Sequence, residues 1–363
     1  MTDSLLLPDG ARLIHIGPHK SGSTAIQVAM FEARSELAAH GVYYPGGSRR
    51  RWKASQELLA ASRRQASDAP LKHWEALSSE VAAAGPMRVC VSDEVFGKAS
   101  DETVARIVAG LGGENAHIVA IARQYDSYLP SQWQQRVKAG RLESYEEWLR
   151  IVLGNETSLW EHRNVWGSHD TKALVDRWVE HVGPDRFTLV VAEESDRGQL
   201  SRLFEAMLGL PGGLLQLHAD RSNQSSALAE VELIRSLNNA LANQGWSKSA
   251  YQRLVKRGVR AMVANSGATP GPRRPAMPAW AGQMVRELSD MRIAQINALG
   301  VRVLGDPERL RGQPIERDDA VSADLEIPAH LAGHVAGLVI EAALEELGIH
   351  PSDLEQQRKS RTN

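Results

Sequence analysis

Apolar residues bunch into four short, β-branched-rich runs along this chain, near residues 12–16, 87–92, 117–122 and 187–192. A run such as Ile118-Val119-Ala120-Ile121-Ala122 is apolar at every position, so both faces of the strand are covered, as in a buried parallel sheet. Between these runs apolar positions recur every three or four residues, which predicts helices near 23–39, 71–84, 101–111, 126–138, 144–153, 169–182 and 198–209. Strands separated by crossover-length helices imply a parallel sheet with helices on both faces. Beyond about residue 225 the pattern is helical, with candidates at 225–243, 247–264, 279–298 and 328–347. The stretch Thr269-Pro270-Gly271-Pro272-Arg273-Arg274-Pro275-Ala276-Met277-Pro278 interrupts it, because prolines sustain neither a helix interior nor a central strand. The expectation is an α/β fold, a three-layer parallel sheet flanked by helices over residues 1–265, with helical insertions near 45–85 and 140–180. A Pro-rich loop and a helical C-terminal section would then occupy 266–363.

Composition narrows the setting more than the chemistry. A chain of 363 residues can bury a sizeable core, and its net charge of −2 offers no global basic field for nucleic acid. The single cysteine, Cys90, excludes an internal disulfide and suits a reducing compartment. Residues Met1 to Leu7 are too short and too acidic for a signal peptide, and no apolar run approaches the roughly 20 residues of a membrane span. A cytoplasmic protein without a membrane span is expected. No His/Cys spacing of a zinc site is present, so no metal is expected, and a homodimer is left open.

The candidate chemistry begins at Gly17-Pro18-His19-Lys20-Ser21-Gly22-Ser23-Thr24, between the first strand and the first helix. Glycines permit a tight turn, Lys20 supplies a cation, and Ser21, Ser23 and Thr24 gather where a helix starts, a point that presents free N–H groups and a positive dipole end. An ATP-binding loop, G-x-x-x-x-G-K-[ST], would put lysine where Ser23 stands. A second candidate closes the third run: Arg123 follows the 117–122 strand, and Ser131 comes eight positions later on the next helix. A guanidinium at a strand end can grip a phosphate bidentately, and it can equally pair with a surface carboxylate.

Pro18-His19-Lys20-Ser21-Gly22-Ser23-Thr24 resembles the 5′-phosphosulfate loop of PAPS-dependent sulfotransferases, roughly P-x-K-[ST]-G-[ST]-[ST], and the Arg123/Ser131 pair resembles their 3′-phosphate segment. Weaker likenesses follow at Phe187 to Glu194 and at Arg221-Ser222-Asn223-Gln224-Ser225, so the resemblance spans about residues 11–240. It implies a P-loop-like core, PAPS as co-substrate, and sulfuryl transfer without a metal to a hydroxyl of a small-molecule, sugar or glycolipid-like acceptor. Lys20 would steady the leaving group, Ser21, Gly22, Ser23 and Thr24 would hold the 5′-phosphate, and Arg123 and Ser131 the 3′-phosphate. Arg221 is a further donor-contact candidate. The chain departs from cytosolic members in having Ala25 where they carry tryptophan, and in lacking their C-terminal glycine- and lysine-rich donor loop.

For the acceptor's proton two candidates stand. Glu94 follows the 87–92 strand in Ser92-Asp93-Glu94, where a carboxylate would reach the ligand edge, and it resembles the acidic residue of bacterial and carbohydrate sulfotransferases. The alternative there is a capping Asp93 and an ion-paired Glu94. His19, beside Lys20, is the competing base. Trp148, Trp160, Trp166 and Trp178, with Trp133, suit either an aromatic acceptor pocket or a core, and Arg49-Arg50-Arg51 either a donor cover or a solvated loop. A P-loop kinase and a non-catalytic P-loop scaffold are the competing functional classes.

Overall fold

The structure is a computed structural model describing residues 5–47, 52–64, 71–216, 226–245, 247, 251, 271–318 and 329–349. Its chain contacts divide into two interleaved units: Met1–Tyr128, Asn155–His218 and Met284–Gln313 form the first, and Leu129–Gly154, Ala219–Gln283 and Pro314–Asn363 the second.

The first unit is built on a six-stranded sheet. Its strands are β1 (Arg12–His15), β2 (Val42–Tyr43), β3 (Arg88–Ser92), β4 (Ala116–Ala122), β5 (Phe187–Val191) and, after the short β6 (Met277–Pro278) of the second unit, β7 (Arg302–Leu304). They lie in the order β2-β3-β1-β4-β5-β7, every neighbouring pair parallel. Side chains alternate between two cores, as a strand period of two requires. Ile14, Val89, Val91, Ile118, Ala120, Phe187 and Leu189 face helices that include Asp101–Leu111 and Thr171–Val182. Leu13, Cys90, Val119, Ile121 and Val190 face Ser23–Glu32 and Gln199–Leu208. That is the three-layer α/β arrangement the patterning predicts.

Several differences have local causes. The helix expected over 23–39 breaks at Ala33 into Ser23–Glu32 and Arg34–Ala39. A helix expected over 169–182 starts at Thr171 because the Asp170 carboxylate accepts from the Ala173 N–H at 3.0 Å, and a separate helix, Trp160–His169, precedes it. The part beyond residue 266 is not helical throughout: β7 supplies an outer strand beside β5. The 247–264 helix, apart from Ser247 and Tyr251, and the Arg49 to Arg51 cluster lie outside the described residues.

In the second unit, β6 pairs in parallel with β8 (Glu316–Arg317). Ser144 and Glu147 form a reciprocal cap on the helix Tyr145–Leu153. Asn238, buried on the helix Leu228–Asn243, donates to the Val137 and Arg141 carbonyls and accepts from the Tyr251 hydroxyl. The helices Tyr125–Lys138 and Ala279–Asn297 begin in one unit and end in the other.

Candidate functional site

Because the sheet is wholly parallel, the residue following each strand emerges along one edge. The chain leaves β1 toward β2 and β3 on one side and returns as β4 on the other, so connections diverge at β1, where open α/β sheets bind ligands. At this edge stand the loop from Ile16 to Gly22 after β1, Asp93 and Glu94 after β3, Arg123 after β4 and Glu194 after β5.

The loop is held by backbone conformation and close packing. Gly17 has φ of 83°, and a Cβ there would lie 2.7 Å from the Glu94 Cβ, so only glycine lets the loop lie against the segment after β3. Lys20 is left-handed at φ 66° without being glycine, a conformation costing on the order of 1–3 kcal/mol. Gly22, at φ 95°, caps the helix Ser23–Glu32 with no side-chain acceptor on its first N–H groups. The Ser21 hydroxyl is buried and donates to the Pro18 carbonyl at 2.6 Å, so it braces the turn. Ser23 is buried beside it at 3.3 Å, and Thr24 is half-buried.

No hydrogen bond or ion pair engages the Lys20 ammonium among the described residues. The residue is exposed overall, yet crowding of its head group by protein and the nearby Arg123 cation lower its pKa, opposed by Glu94. Arg123 itself donates from Nε and Nη2 to the Glu194 carboxylate at 2.5 and 3.0 Å, and from Nη1 to the Lys20 carbonyl at 2.7 Å. The arginine read as a phosphate ligand thus braces the lysine loop. Three of its five N–H groups are engaged, and two remain to donate.

Glu94 is 8% exposed and opens a short 3-10 turn whose cap is Asp93, which accepts from the Val95 N–H at 3.0 Å. The capping alternative therefore holds for Asp93, whose buried carboxyl is pushed up by desolvation. Gln27, on the helix following the loop, donates to Glu94 Oε2 at 2.7 Å, and His19 Nδ1 lies 3.5 Å from Oε1. Burial pushes the Glu94 carboxyl up, but the His19 and Gln27 hydrogen bonds pull it the other way, to about 2. Behind it, His15 Nδ1 meets the Ser92 hydroxyl at 2.8 Å, and full burial holds that imidazole down to about 4.

His19 joins this cluster through its main chain as well. Its carbonyl lies 3.2 Å from Nε2 of His169, a buried ring stacked on Tyr128 at 3.5 Å between centroids. Gln27 was not legible as a site residue, and Glu194 was legible only as the end of a family-like strand, with no sign that it would hold Arg123. The one available signal was Gln27, a polar side chain on an otherwise apolar helix face.

Ser131 stands half-buried on the helix Tyr125–Lys138, in the portion assigned to the second unit, and Arg221 lies outside the described residues. The tryptophans divide. Trp133, Trp148 and Trp178 are at most 1% exposed and belong to cores, whereas Trp160 is 49% exposed and Trp166 packs edge-on against Tyr125. Among the described residues no group of His, Cys, Asp and Glu could hold a metal, and no helix is long and apolar enough to cross a membrane.

No protein-family model and no curated protein matches the chain. Among solved structures, a sulfotransferase from Alicyclobacillus acidocaldarius matches with a TM-score of 0.38 at 17% identity, over 68% of this chain and 99% of that one.

Proposed function

We propose that this chain transfers a sulfuryl group from PAPS to a hydroxyl of a small-molecule or sugar acceptor. The observation that carries the reading is the Lys20 ammonium, unpaired among the described residues, on a left-handed residue of the loop that runs into the Gly22-capped helix. The motif around it places the lysine inside the loop, as in the phosphosulfate loop, and not after Gly22 as in an ATP-binding one.

The 5′-phosphate lies on the N–H groups of Gly22, Ser23 and Thr24, where the helix dipole favours an anion. Lys20 neutralises the charge that gathers on the bridging oxygen as its bond to sulfur breaks, a stabilisation realised in the transition state. Arg123 keeps the loop in place through the Lys20 carbonyl and turns its remaining N–H groups to the donor's 3′-phosphate. In-line transfer asks of the protein chiefly positioning and charge, both of which this edge offers.

Calorimetry with adenosine 3′,5′-bisphosphate and with ATP tests the reading. Binding of the bisphosphate at least about tenfold tighter than ATP, a difference near 1.4 kcal/mol, is expected. Preference for ATP would move the chain to the kinase class, and absence of binding by either nucleotide would leave a scaffold.

A further inference from the structure

We infer that His19 takes the acceptor's proton and that Glu94, fixed by Gln27, orients its ring. This rests on the sulfuryl-transfer reading and assigns the acid–base work within the same edge.

Three observations converge on it. Glu94 is enclosed, its carboxylate already accepting from the Gln27 amide at 2.7 Å and facing His19 Nδ1 at 3.5 Å. The side chain of His19 is 31% exposed against 11% for Glu94, so the imidazole is the member of the pair that reaches solvent and substrate. The arrangement is also built in. Gly17 permits the loop to press on Glu94, the His19 carbonyl lies at hydrogen-bonding distance from His169, and Gln27 belongs to the helix that starts at the loop.

With Nδ1–H directed at Glu94, the ring's other nitrogen, Nε2, carries the free lone pair. This is the tautomer a buried carboxylate selects when it orients a catalytic histidine. A carboxylate held down to about 2 is a weak proton acceptor but a firm anchor. In the step, the acceptor oxygen forms a bond to sulfur and its proton passes to His19 Nε2. The bond from sulfur to the bridging oxygen breaks with its electron pair on the 5′-phosphate, beside Lys20, and the proton later leaves to water. Titratable groups around His19 are Lys20 on its own loop, Asp93 and Glu94 after β3, and the buried His169 on the helix Trp160–His169.

The test follows bisphosphate release from PAPS against pH, using a panel of phenols and glycosides with water as the baseline acceptor, beside calorimetric bisphosphate binding. His19→Gln is expected to bind the bisphosphate as wild type does, to turn over about 10²–10⁴-fold more slowly and to lose the acidic limb of the rate profile. Imidazole in the buffer should restore part of the rate to His19→Ala. Glu94→Gln should keep the limb at a lower rate, and nitrogen-15 spectra of its His19 ring should show the Nδ1–H tautomer depleted. With binding intact, a limb that survives in His19→Gln and vanishes in Glu94→Gln overturns the assignment and returns the base to Glu94. An unchanged tautomer in Glu94→Gln overturns the orienting role. Failure of wild type to bind the bisphosphate would instead fell the sulfuryl-transfer reading, and this inference with it.

Discussion

Arg123 shows how one side chain can tie separate segments of the sheet edge together. Its bidentate contact with Glu194 fixes the guanidinium plane, and its third bond reaches the carbonyl of Lys20, the residue whose left-handed backbone needs outside support. Lys20 and Arg123 therefore fail differently when truncated. Lys20→Ala is expected to lower turnover of PAPS by about 10²–10³-fold at an unchanged melting temperature, because in the proposed reaction its charge acts in the transition state. Arg123→Ala should raise the donor KM and also lower the melting temperature, since it frees the Lys20 carbonyl and removes the guanidinium bonds to Glu194. Steady-state kinetics with thermal melts separates the two, and a wild-type rate in Lys20→Ala contradicts its role. The loop was legible because it is a local object, with glycines, lysine and hydroxyls all inside eight consecutive residues. The capture of Arg123 by Glu194 was not, because partners 71 positions apart meet only through the strand order.

At the level of elements, the approach of the β1 loop to the turn after β3 sets the spacing of His19 and Glu94. Gly17→Ala tests it: its Cβ meets the backbone side of Glu94, so neither a rotamer change nor a flexible tip can relieve the clash. The expected cost is roughly 1–3 kcal/mol, read as a drop of several degrees in melting temperature, with a disproportionate fall in rate. Gly10→Ala is the control, a glycine with φ of 75° and no neighbour within 4 Å of the added carbon, where only the backbone term of about 1 kcal/mol applies. Equal behaviour of the two variants would show that contact with Glu94 does not govern the loop. Long strands and amphipathic helices were readable because each repeats its period several times. β2, with two residues, and β7, with three, are too short to display alternation at all. The tryptophans stayed ambiguous for a related reason, since helical spacing marks a buried face whether it covers a core, as at Trp133, Trp148 and Trp178, or a ligand.

Across the whole molecule, buried ionisable groups tie stability to pH. The His15 imidazole is held down to about 4 by burial, with Glu94 opposing, and the His117 imidazole reaches about 4 through burial and the Arg302 and Arg186 cations. Between 6.5 and about 4 the unfolded chain binds protons that the folded chain refuses, so stability falls as pH drops through that window, by up to about 3 kcal/mol at His15. Glu94, lowered from 4.5 to about 2, adds a loss in the same direction below 4.5. Urea midpoints measured from pH 8 to 3 should fall in both windows, and His15→Asn should flatten the upper one; an unaltered slope in that variant would show that His15 is not its source. The outermost strand has a consequence of another kind. β5 is finished at Val191, yet among the described residues its far side pairs with Arg302–Leu304. While the ribosome makes the intervening stretch, at roughly 5–20 residues per second, a largely apolar strand waits with the amides of that edge unpaired. A polypeptide cut short before Arg302 would carry that sticky border permanently and should accumulate in inclusion bodies.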